Sequence, residues 1–429
     1  MPDIILKDAH ILTMNSPTEF PKLRTVYVHN NKIMKIVKSF DGKVPNGVQL
    51  LDCRGQLLMP SFKNGHSHVA MHFLREIATQ DNFEDWLSNV LAYEKHLTQE
   101  DVYYLSLYGL LELARSGYSY TFDMYYHSPA YASACIRLGF RSDVLLTTSN
   151  TDPQLRDIST EYFVLDKFDP LIAPKYGIHA LYSTDLSIIK KLSSVLSRKR
   201  LPFYTHLAET KNEVVDSIEK YEKTPLSTLF KLGVFNNGGA IFHGSHLDAE
   251  DIKLLIKKRI SVITCPQSNV QLNTGLPDYK KLLDAKINIG IGTDGSASNK
   301  FLDPFNEMRI IRHELLKSNS KIPNLEFNIL KMSTQNVMNA VKKRNLSKIS
   351  SSQLADLILV DTGGDIDFEN PQYFERLIER GSKKDILMTM IDGKIVYMNN
   401  TFPLIGDDIP MIKREVEQRR KRILTVTEF

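Results

Sequence analysis

The chain has 429 residues, of which 42% are hydrophobic and 24% are charged, and this composition is typical of a globular protein. It excludes disorder or a fibrous repeat as a description of the whole chain. The net charge of +4 is too small for a chain of this length to indicate a nucleic acid or an anionic membrane as a partner.

Cysteine content and the first residues bear on the compartment. Three cysteines cannot form a disulfide framework, and Cys53, Cys135 and Cys265 have no spacing typical of a metal knuckle. The start of the chain has no apolar run long enough for a signal peptide, and no segment approaches the ~20 apolar residues of a transmembrane helix. We therefore expect a cytoplasmic protein in a reducing compartment, without a membrane partner.

Both ends of the chain are rich in short strands and turns. Apolar runs predict strands at 4–6, 25–28, 32–37, 49–52, 357–360, 385–391 and 394–398. We expect the two ends, residues 1–58 and 346–405, to form one small β-sandwich domain. A helical tail follows at 406–429, in which the basic segment 413–422 predicts a solvated surface helix rather than a nucleic-acid contact.

Between residues 59 and 345, short apolar strands alternate with helices. Two helix starts carry a capping-box pattern, Thr98 with Asp101 and Asp248 with Asp251. Eight strands are predicted, one before His66 and the others at 119–123, 142–147, 176–179, 201–206, 240–243, 261–265 and 287–294. About 285 residues of this alternation fit an α/β fold of the (β/α)8 TIM-barrel type, which needs ~250 residues; a doubly wound sheet is the structural alternative.

Histidines and one aspartate stand at the ends of four predicted strands. His66 and His68 are two residues apart, which places both imidazoles on the same side of a strand. His206, His243 and Asp294 each close a later strand. Because the carboxyl ends of barrel strands converge on one face, these five residues are predicted to form one site.

This set of side chains is suited to a catalytic metal. Neutral imidazoles and one carboxylate suit one divalent ion, with Zn²⁺ as the first choice and Fe²⁺ as the next. Such an ion lowers the pKa of bound water toward ~7, and Asp294 can both bind the ion and take the proton of that water. His243 is either a ligand or a group that orients the hydroxide.

Three further features are candidates for the site. Glu209, three residues after His206, is a candidate general acid or base, and the alternative is an exposed acid that opens a helix. The small residues at 295–299 permit close approach of a substrate, although small residues are also ordinary loop formers. His127 and His246 are equally suited to structural hydrogen bonds.

Five segments together resemble the signature set of the amidohydrolase superfamily. They are residues 60–68, 206–209, 242–247, 265–269 and 292–299. Their order and spacing resemble its aminohydrolase branch, and most of all the 5′-methylthioadenosine/S-adenosylhomocysteine deaminases. The resemblance extends along almost the whole chain.

The resemblance implies a role for each residue of the site. It implies that one divalent metal ion is bound by His66, His68, His206 and Asp294. It also implies that His243 steadies the attacking hydroxide and that Glu209 carries a proton to a ring nitrogen of the substrate.

The resemblance also implies a nucleoside pocket. The positions that match are Trp86, Glu94, His179 and Ser298, with Glu94 holding the ribose hydroxyls. We expect Trp86 and Glu94 on a loop that covers the carboxyl face of the barrel.

The chain departs from the family pattern at three places. Ser61 stands where glycine is usual, and Lys63 is unusual so close to the ligands. Residues 146–149 lack the arginine that thermophilic S-adenosylhomocysteine deaminases use near the amino-acid end of the substrate, and Arg156 is a candidate for a second such arginine. Deaminase chemistry is therefore better supported than specificity for S-adenosylhomocysteine.

The sequence thus predicts a hydrolase acting on a C–N bond of a cyclic amidine, a metal-dependent deaminase of an adenosine-type nucleoside. The alternatives are a guanine deaminase or a triazine hydrolase and, outside enzymes, an inactive binding protein of the same fold. The complete set of ligands with Glu209 argues against the inactive protein. The expected partners are a small heterocycle or nucleoside and further copies of the chain, as a dimer or tetramer.

Overall fold

The structure is a computed structural model, and it describes residues 1–40, 42–78, 82–148, 158–318, 321–343, 346–364 and 366–427. The strands are, in chain order, β1 (Ile4–Ile11), β2 (Lys22–His29), β3 (Lys32–Val37), β4 (Gln49–Asp52), β5 (Gln56–Pro60), β6 (Phe62–His68), β7 (Tyr118–Met124), β8 (Arg141–Thr148), β9 (Ile172–Ile178), β10 (Phe203–Leu207), β11 (Gly239–His243), β12 (Ile260–Thr264), β13 (Ile289–Ile291), β14 (Asp294–Gly295), β15 (Leu357–Asp361), β16 (Ile386–Ile391) and β17 (Lys394–Met398).

The helices surround these strands. They are α1 (Phe83–Glu94), α2 (Gln99–Arg115), α3 (Ser128–Leu138), α4 (Ile158–Leu165), α5 (Leu186–Lys199), α6 (Lys211–Tyr221), α7 (Pro225–Lys231), α8 (Ala249–Lys258), α9 (Pro266–Gln271), α10 (Tyr279–Asp284), α11 (Pro304–Lys317), α12 (Leu325–Met332), α13 (Gln335–Ala340), α14 (Tyr373–Arg380) and α15 (Ile409–Thr427), with short 3-10 turns at Val69–Leu74, Lys383–Asp385 and Gly406–Asp408. Within the described ranges, none of the helices combines the length and the apolar character needed to span a bilayer.

The larger sheet closes into a barrel. Strands β6 to β13 pair in parallel in the order of the chain, and β14 returns to pair with β6, with Asp294 opposite Ser67. β13 and β14 together form the eighth strand of the barrel. The chain passes tightly between them, because a Cβ on Gly292 would lie 2.8 Å from the backbone nitrogen of His66. The predicted (β/α)8 barrel is confirmed.

The second sheet is built from both chain ends, as predicted. Its strands follow the order β17-β16-β15-β5-β1-β2-β3, and β4 pairs with β1. β5, which the sequence did not indicate as a separate strand, joins the two ends because it pairs in parallel with β1 and antiparallel with β15. The bounds of the predicted domains, 1–58 with 346–405, 59–345 and 406–429, stay predictions.

Helix starts follow the sequence signals. Both predicted capping boxes are present, at the starts of α2 and α8. The basic tail forms α15, which packs on α2, where the Arg419 guanidinium lies 4.4 Å from the centre of the Tyr104 ring and 2.9 Å from Glu100 Oε1. Part of its positive charge is therefore paired with the barrel.

One prediction is wrong. Trp86 and Glu94 lie on a helix, α1, and not on a loop. The Asn82 side chain caps this helix by accepting a hydrogen bond from the backbone nitrogen of Asp85 at 2.8 Å. Apolar side chains three and four residues apart then give α1 a face that turns toward the barrel.

Candidate active site

The five predicted site residues come together at the carboxyl ends of the barrel strands. His66 and His68 lie in β6, His206 lies in β10, His243 ends β11, and Asp294 begins β14. All five side chains are buried. The barrel topology alone brings them together, because the strands that carry them are far apart in the sequence.

The side chains that the sequence predicts as ligands converge on one point. The Nε2 atoms of His66 and His206 are 3.0 Å apart. Asp294 Oδ1 lies 3.3 Å from His68 Nε2 and 3.8 Å from His66 Nε2. His66, His68 and Asp294 each offer a ligand atom, and these atoms lie within 4.8 Å of one another.

Backbone hydrogen bonds fix two of the imidazole rings. His68 Nδ1 donates to the Met124 carbonyl at 2.6 Å, and His206 Nδ1 donates to the His179 carbonyl at 2.8 Å. An imidazole that donates through Nδ1 keeps, in its neutral form, a free electron pair on Nε2. Both rings turn that Nε2 atom toward the other predicted ligands.

Two of the histidines, His66 and His206, are held in the neutral form. Burial lowers the pKa of His66 and of His206 well below the ordinary value, and the neighbouring imidazoles lower it further. Neutral imidazoles that present Nε2 beside one carboxylate are a common ligand set for a divalent ion. The residues therefore fit the metal site that the family resemblance implies.

Asp294 is held from the side away from the histidines. Its Oδ2 accepts hydrogen bonds from Ser268 Oγ at 2.6 Å and Ser298 Oγ at 3.1 Å, while its Oδ1 accepts from the Gly295 backbone nitrogen at 2.8 Å. Burial raises the pKa of Asp294, but the imidazoles of His68 and His243 and these hydrogen bonds outweigh it, so the pKa lies below its ordinary value. Asp294 is thus held as a carboxylate.

The backbone is strained where these side chains are presented. Ala208, His243 and Asp294 have φ angles of 52°, 66° and 62°, in the left-handed region that residues other than glycine rarely adopt. Such strain costs on the order of 1–3 kcal/mol and is typical of functional sites. The Glu213 carboxylate stabilises the turn at Ala208, since it accepts hydrogen bonds from the backbone nitrogens of Ala208 and Glu209 at 3.0 and 2.9 Å.

Glu209 lies beside His243 at the edge of the ligand set. Glu209 Oε1 is 3.5 Å from His243 Nδ1, and the same nitrogen is 3.4 Å from Asn269 Oδ1. Burial raises the pKa of Glu209 well above its ordinary value, and the carboxylates of Asp294 and Glu213 raise it further. A buried carboxyl group that retains its proton here is suited to proton transfer.

A cavity of about 300 Å³ opens above the ligands. His68, His206, Glu209, His243 and Asp294 line its base. Helix α1 supplies one wall with Phe83, Trp86, Leu87, Val90, Leu91 and Glu94, and further lining comes from Met124, Tyr125, Tyr126, His179, Tyr182 and Ser183. A mainly apolar cavity with a few convergent polar groups is typical of a small-molecule site.

Two residues of α1 that the sequence singled out, Trp86 and Glu94, line this cavity. Trp86 Nε1 donates to the Ala297 carbonyl at 3.3 Å, which ties α1 to the loop that follows Asp294. Glu94 is buried at the end of α1, and its Oε1 has no hydrogen-bond partner among the described residues. Burial raises the pKa of Glu94 to about 7, although the nearby Tyr125 hydroxyl lowers it in part.

The other sequence candidates lie in different places. His179 lines the cavity and its Nδ1 is 2.8 Å from Ser183 Oγ. Ser298 stands behind Asp294 rather than on the cavity wall. His127 and His246 lie outside the cavity, where their Nε2 atoms donate to the carbonyls of Leu97 and Thr274. Arg156 falls outside the described residues.

Sequence reasoning missed three groups that hold the site together. Asn269 and Ser268 belong to the segment 265–269 that carries part of the family resemblance, so the motif was a signal, but it did not reveal their contacts with His243 and Asp294. Glu213 lies four residues after Glu209 on α6, and only the structure shows its bonds to the preceding turn.

Comparisons with known proteins give matches along most of the chain. The profile of the amidohydrolase family matches residues 57–396. A 5-methylthioadenosine/S-adenosylhomocysteine deaminase from Thermococcus sibiricus is 30% identical over 389 residues, which cover 87% of this chain and 89% of the relative. One from Pyrococcus furiosus is 30% identical over 371 residues, which cover 84% and 88%.

A solved structure shares the fold. An adenosine deaminase from Xanthomonas campestris, with bound zinc, superposes with a TM-score of 0.88 over 99% of both chains, at 23% sequence identity.

Proposed function

We propose that this chain, which belongs to the amidohydrolase family, is a metal-dependent deaminase that releases ammonia from an adenosine-type nucleoside. Hydrolysis of a C–N bond is the activity that the family and the deaminase relatives indicate. The observation that carries the proposal is the close approach of His66 Nε2 to His206 Nε2 and of Asp294 Oδ1 to His68 and His66, beside Glu209 at the base of the cavity.

One divalent ion, with zinc as the first choice, would be held by His66, His68, His206 and Asp294. A divalent ion bound in this way supplies a water molecule that is acidic enough to act as a nucleophile near neutral pH. The fixed Nε2 atoms and the hydrogen-bonded carboxylate support this assignment, because their orientation does not depend on the ion.

The residues around the ligands divide the proton transfers. Asp294 accepts a proton from the attacking water, and His243 orients the water oxygen toward the amino-bearing carbon of the ring. Glu209 delivers its proton to the adjacent ring nitrogen, so that the carbon becomes tetrahedral. Cleavage of the C–N bond then forms the carbonyl product: the proton held by Asp294 leaves with the amino group as ammonia, and the hydroxyl proton of the tetrahedral carbon returns to Glu209.

The α1 wall would bind the nucleoside. Trp86 and its apolar neighbours on α1 offer a surface for the apolar part of the substrate. The free oxygen of Glu94 can accept hydrogen bonds from vicinal ribose hydroxyls. His179 would contact the base from the opposite side, and Ser298 would act through Asp294.

The setting of the enzyme is also a proposal. Three buried cysteines without a disulfide, Cys53, Cys135 and Cys265, support a reducing, cytoplasmic environment. The small net charge supports a small-molecule partner rather than a nucleic acid. A homodimer or homotetramer stays a prediction.

A screen for ammonia release tests the proposal directly. The panel contains adenosine, 5′-methylthioadenosine, S-adenosylhomocysteine, adenine, guanine, cytosine and an amino-triazine. We expect a higher kcat/KM for at least one nucleoside than for any free base, because an unfilled buried carboxylate at Glu94 weakens binding of a base alone. A preference for guanine or the triazine would favour those hydrolases instead, and metal-loaded protein that turns over none of the panel would favour an inactive binding protein.

Substitution of Glu94 distinguishes a specific loss of nucleoside binding from a general loss of activity. Glu94→Ala should lower kcat/KM for nucleosides selectively, while residual activity on free bases stays unchanged. Equal loss for both classes would contradict the assignment of Glu94 to the ribose. The exposed Glu222 at the end of α6 gives the matched control, Glu222→Ala.

A further inference from the structure

A second cavity, of about 600 Å³, lies where α2 meets the second sheet and α15. It shares no lining residue with the cavity above the ligands. Five of the side chains that line it are cations: Arg75, Arg115, Lys383, Lys384 and Lys413. Glu112 is the one carboxylate among its lining residues, so the cavity is far more positive than the surface of a chain with a net charge of +4.

The single carboxylate is already fully engaged. Glu112 Oε1 accepts from Lys383 Nζ at 3.0 Å, while Oε2 accepts from Arg75 Nη2 and lies 3.3 Å from His72 Nε2. Arg115, Lys384 and Lys413 form no ion pair within the described part of the chain. The helix dipole favours a cation such as Arg115 at the carboxyl end of α2. It does not account for the other four cations.

Arg75, which lines the same cavity, has one donor without a partner in the described part of the chain. Its Nη2 atom binds Glu112 and lies 3.3 Å from Ser296 Oγ, whereas its buried Nε atom has no hydrogen-bond partner among the described residues. A buried donor without a partner is destabilising. An oxyanion bound in the cavity would gain charge-assisted hydrogen bonds from the guanidinium and ammonium groups that line it.

Aromatic side chains complete the lining. Tyr108, Tyr397 and Phe402 contribute to the wall, and the Arg115 guanidinium lies 5.8 Å from the centre of the Phe402 ring. Arginine and lysine bind phosphate oxygens, with arginine able to donate two hydrogen bonds at once. Aromatic rings next to such cations can contact the flat base of a nucleotide.

We propose that this cavity binds the di- or triphosphate group of a small molecule, and that its ligand class is a nucleoside di- or triphosphate. The five cations and the single engaged carboxylate match a group that carries three or four negative charges. The volume lies within the range of small-molecule sites. The site is separate from the deaminase cavity and does not depend on the proposed activity.

Calorimetric titration of the metal-loaded protein at low salt tests the site. The probes are UTP, inorganic tripolyphosphate, orthophosphate and uridine; UTP is chosen because its base carries no amino group. We expect saturable binding of UTP and tripolyphosphate at one site per chain, with weaker binding at higher salt and no binding of uridine. Absence of binding by both polyphosphates would overturn the proposal, and tighter binding of tripolyphosphate than of UTP would overturn the nucleotide class.

Two matched double variants locate the binding. Arg115→Glu/Lys384→Glu should weaken UTP binding ~10-fold or more, since it reverses two of the charges on the cavity wall. Lys190→Glu/Lys191→Glu makes the same change in net charge at exposed positions of α5, outside both cavities, and should leave the affinity unchanged. Equal weakening by both variants would show diffuse attraction and overturn the site.

The thermal midpoint of each variant checks its fold. If the Glu double variant is unfolded, Arg115→Gln/Lys384→Gln replaces it, with a smaller loss of affinity expected in the same direction. Unchanged UTP affinity in a folded variant of this pair would contradict the proposal.

Discussion

The two ends of the barrel bury ionisable side chains in different ways. At the amino end, facing the second sheet, Lys63 is wholly buried with its Nζ atom 3.3 Å from Asp356 Oδ2. Arg141 binds the same Asp356 oxygen at 3.3 Å and Asp392 Oδ1 at 2.7 Å. In this group, the Lys63 cluster of Lys63, Arg141, Asp356 and Asp392, each charge contacts a charge of opposite sign.

At the carboxyl end, like groups are gathered together. His66, His68, His206 and His243 lie within one small volume, where the Nδ1 atom of His66 has no hydrogen-bond partner among the described residues. Glu94 likewise keeps one free oxygen. Burial with complete pairing holds two sheets together, whereas burial without it marks a site that a bound ion or substrate completes.

The largest expected effect follows loss of a ligand at the carboxyl end. His206→Ala removes one of the four proposed metal ligands, so metal content should fall from about one equivalent to near zero and ammonia release should fall to background. Elemental analysis of protein purified without chelator measures the first quantity. His246→Ala is the control, because His246 bonds to Thr274 outside the cavity, and it should keep both metal and activity.

Full metal content and full activity in His206→Ala would show that the ligand assignment is wrong. Loss of metal and activity in His246→Ala, but not in His206→Ala, would place the metal near His246 instead.

Removal of the proton carrier should have the next largest effect. Glu209→Gln keeps the shape of the side chain but cannot transfer a proton, so kcat should fall ~10²–10⁴-fold with metal content unchanged. Steady-state kinetics and metal analysis of the same preparation measure both quantities. Glu219→Gln, at an exposed position of α6, should retain activity. Loss of metal in Glu209→Gln would instead identify Glu209 as a ligand.

The Lys63 cluster should respond in stability rather than in chemistry. Asp356→Asn leaves Lys63 and Arg141 buried without their shared carboxylate, so the free energy of unfolding should fall by ~3–5 kcal/mol. The kcat of the folded fraction should stay near that of the parent protein. Urea denaturation and kinetics distinguish the two effects, with the exposed Asp361→Asn at the end of β15 as the control.

A stable Asp356→Asn variant with strongly reduced kcat would contradict the claim that the amino end of the barrel contributes stability and not chemistry. It would place a chemical role in the Lys63 cluster.

The smallest expected effect is a pH dependence of stability at Glu94. Its folded-state pKa is raised to about 7, above the ordinary value of 4.5, so the folded protein retains a proton that the unfolded chain releases. Stability is therefore lost as the pH rises from 4.5 to 7, by ~3 kcal/mol at most. Glu94→Gln should remove this loss, so that the variant gains stability relative to the parent protein across that pH range.

Urea denaturation at several pH values measures this difference. Glu222→Gln, at an exposed position, should show the same pH profile as the parent protein. Identical profiles for Glu94→Gln and the parent protein would contradict the raised pKa.

The sequence predicted the carboxyl end of the barrel better than the amino end. His66, His68, His206, His243 and Asp294 were found because a repeated strand–helix order fixes where strand ends lie. No such rule links Lys63 to Asp356, which is 293 residues away and directly precedes β15 of the second sheet. The structure therefore explains Lys63 and Ser61, which the sequence showed only as departures from the family pattern, since Ser61 Oγ accepts from Lys63 Nζ at 3.0 Å.

The wall of the cavity was predicted in part. Trp86 and Glu94 were identified, but their helix was not, because the chain between β6 and α2 also has the length of a covering loop. The orientation of Ser298 was also beyond the sequence, since a hydroxyl four residues after Asp294 can face either the cavity or the carboxylate. The spacing of residues along the chain determines which of them lie at the end of the same strand. The orientation of neighbouring side chains depends on tertiary packing, which the sequence does not show directly.

Metal reconstitution tests the central claim most directly. The parent protein is stripped with a chelator and titrated with zinc, while ammonia release from the best nucleoside substrate is followed. The account predicts that activity is absent at first, rises linearly with added zinc and reaches its plateau at one equivalent. Glu209→Gln should bind the same one equivalent, but its activity should be ~100-fold lower than that of the parent protein, or lower still. Full activity of the metal-free protein, or a plateau that requires two equivalents, would contradict it.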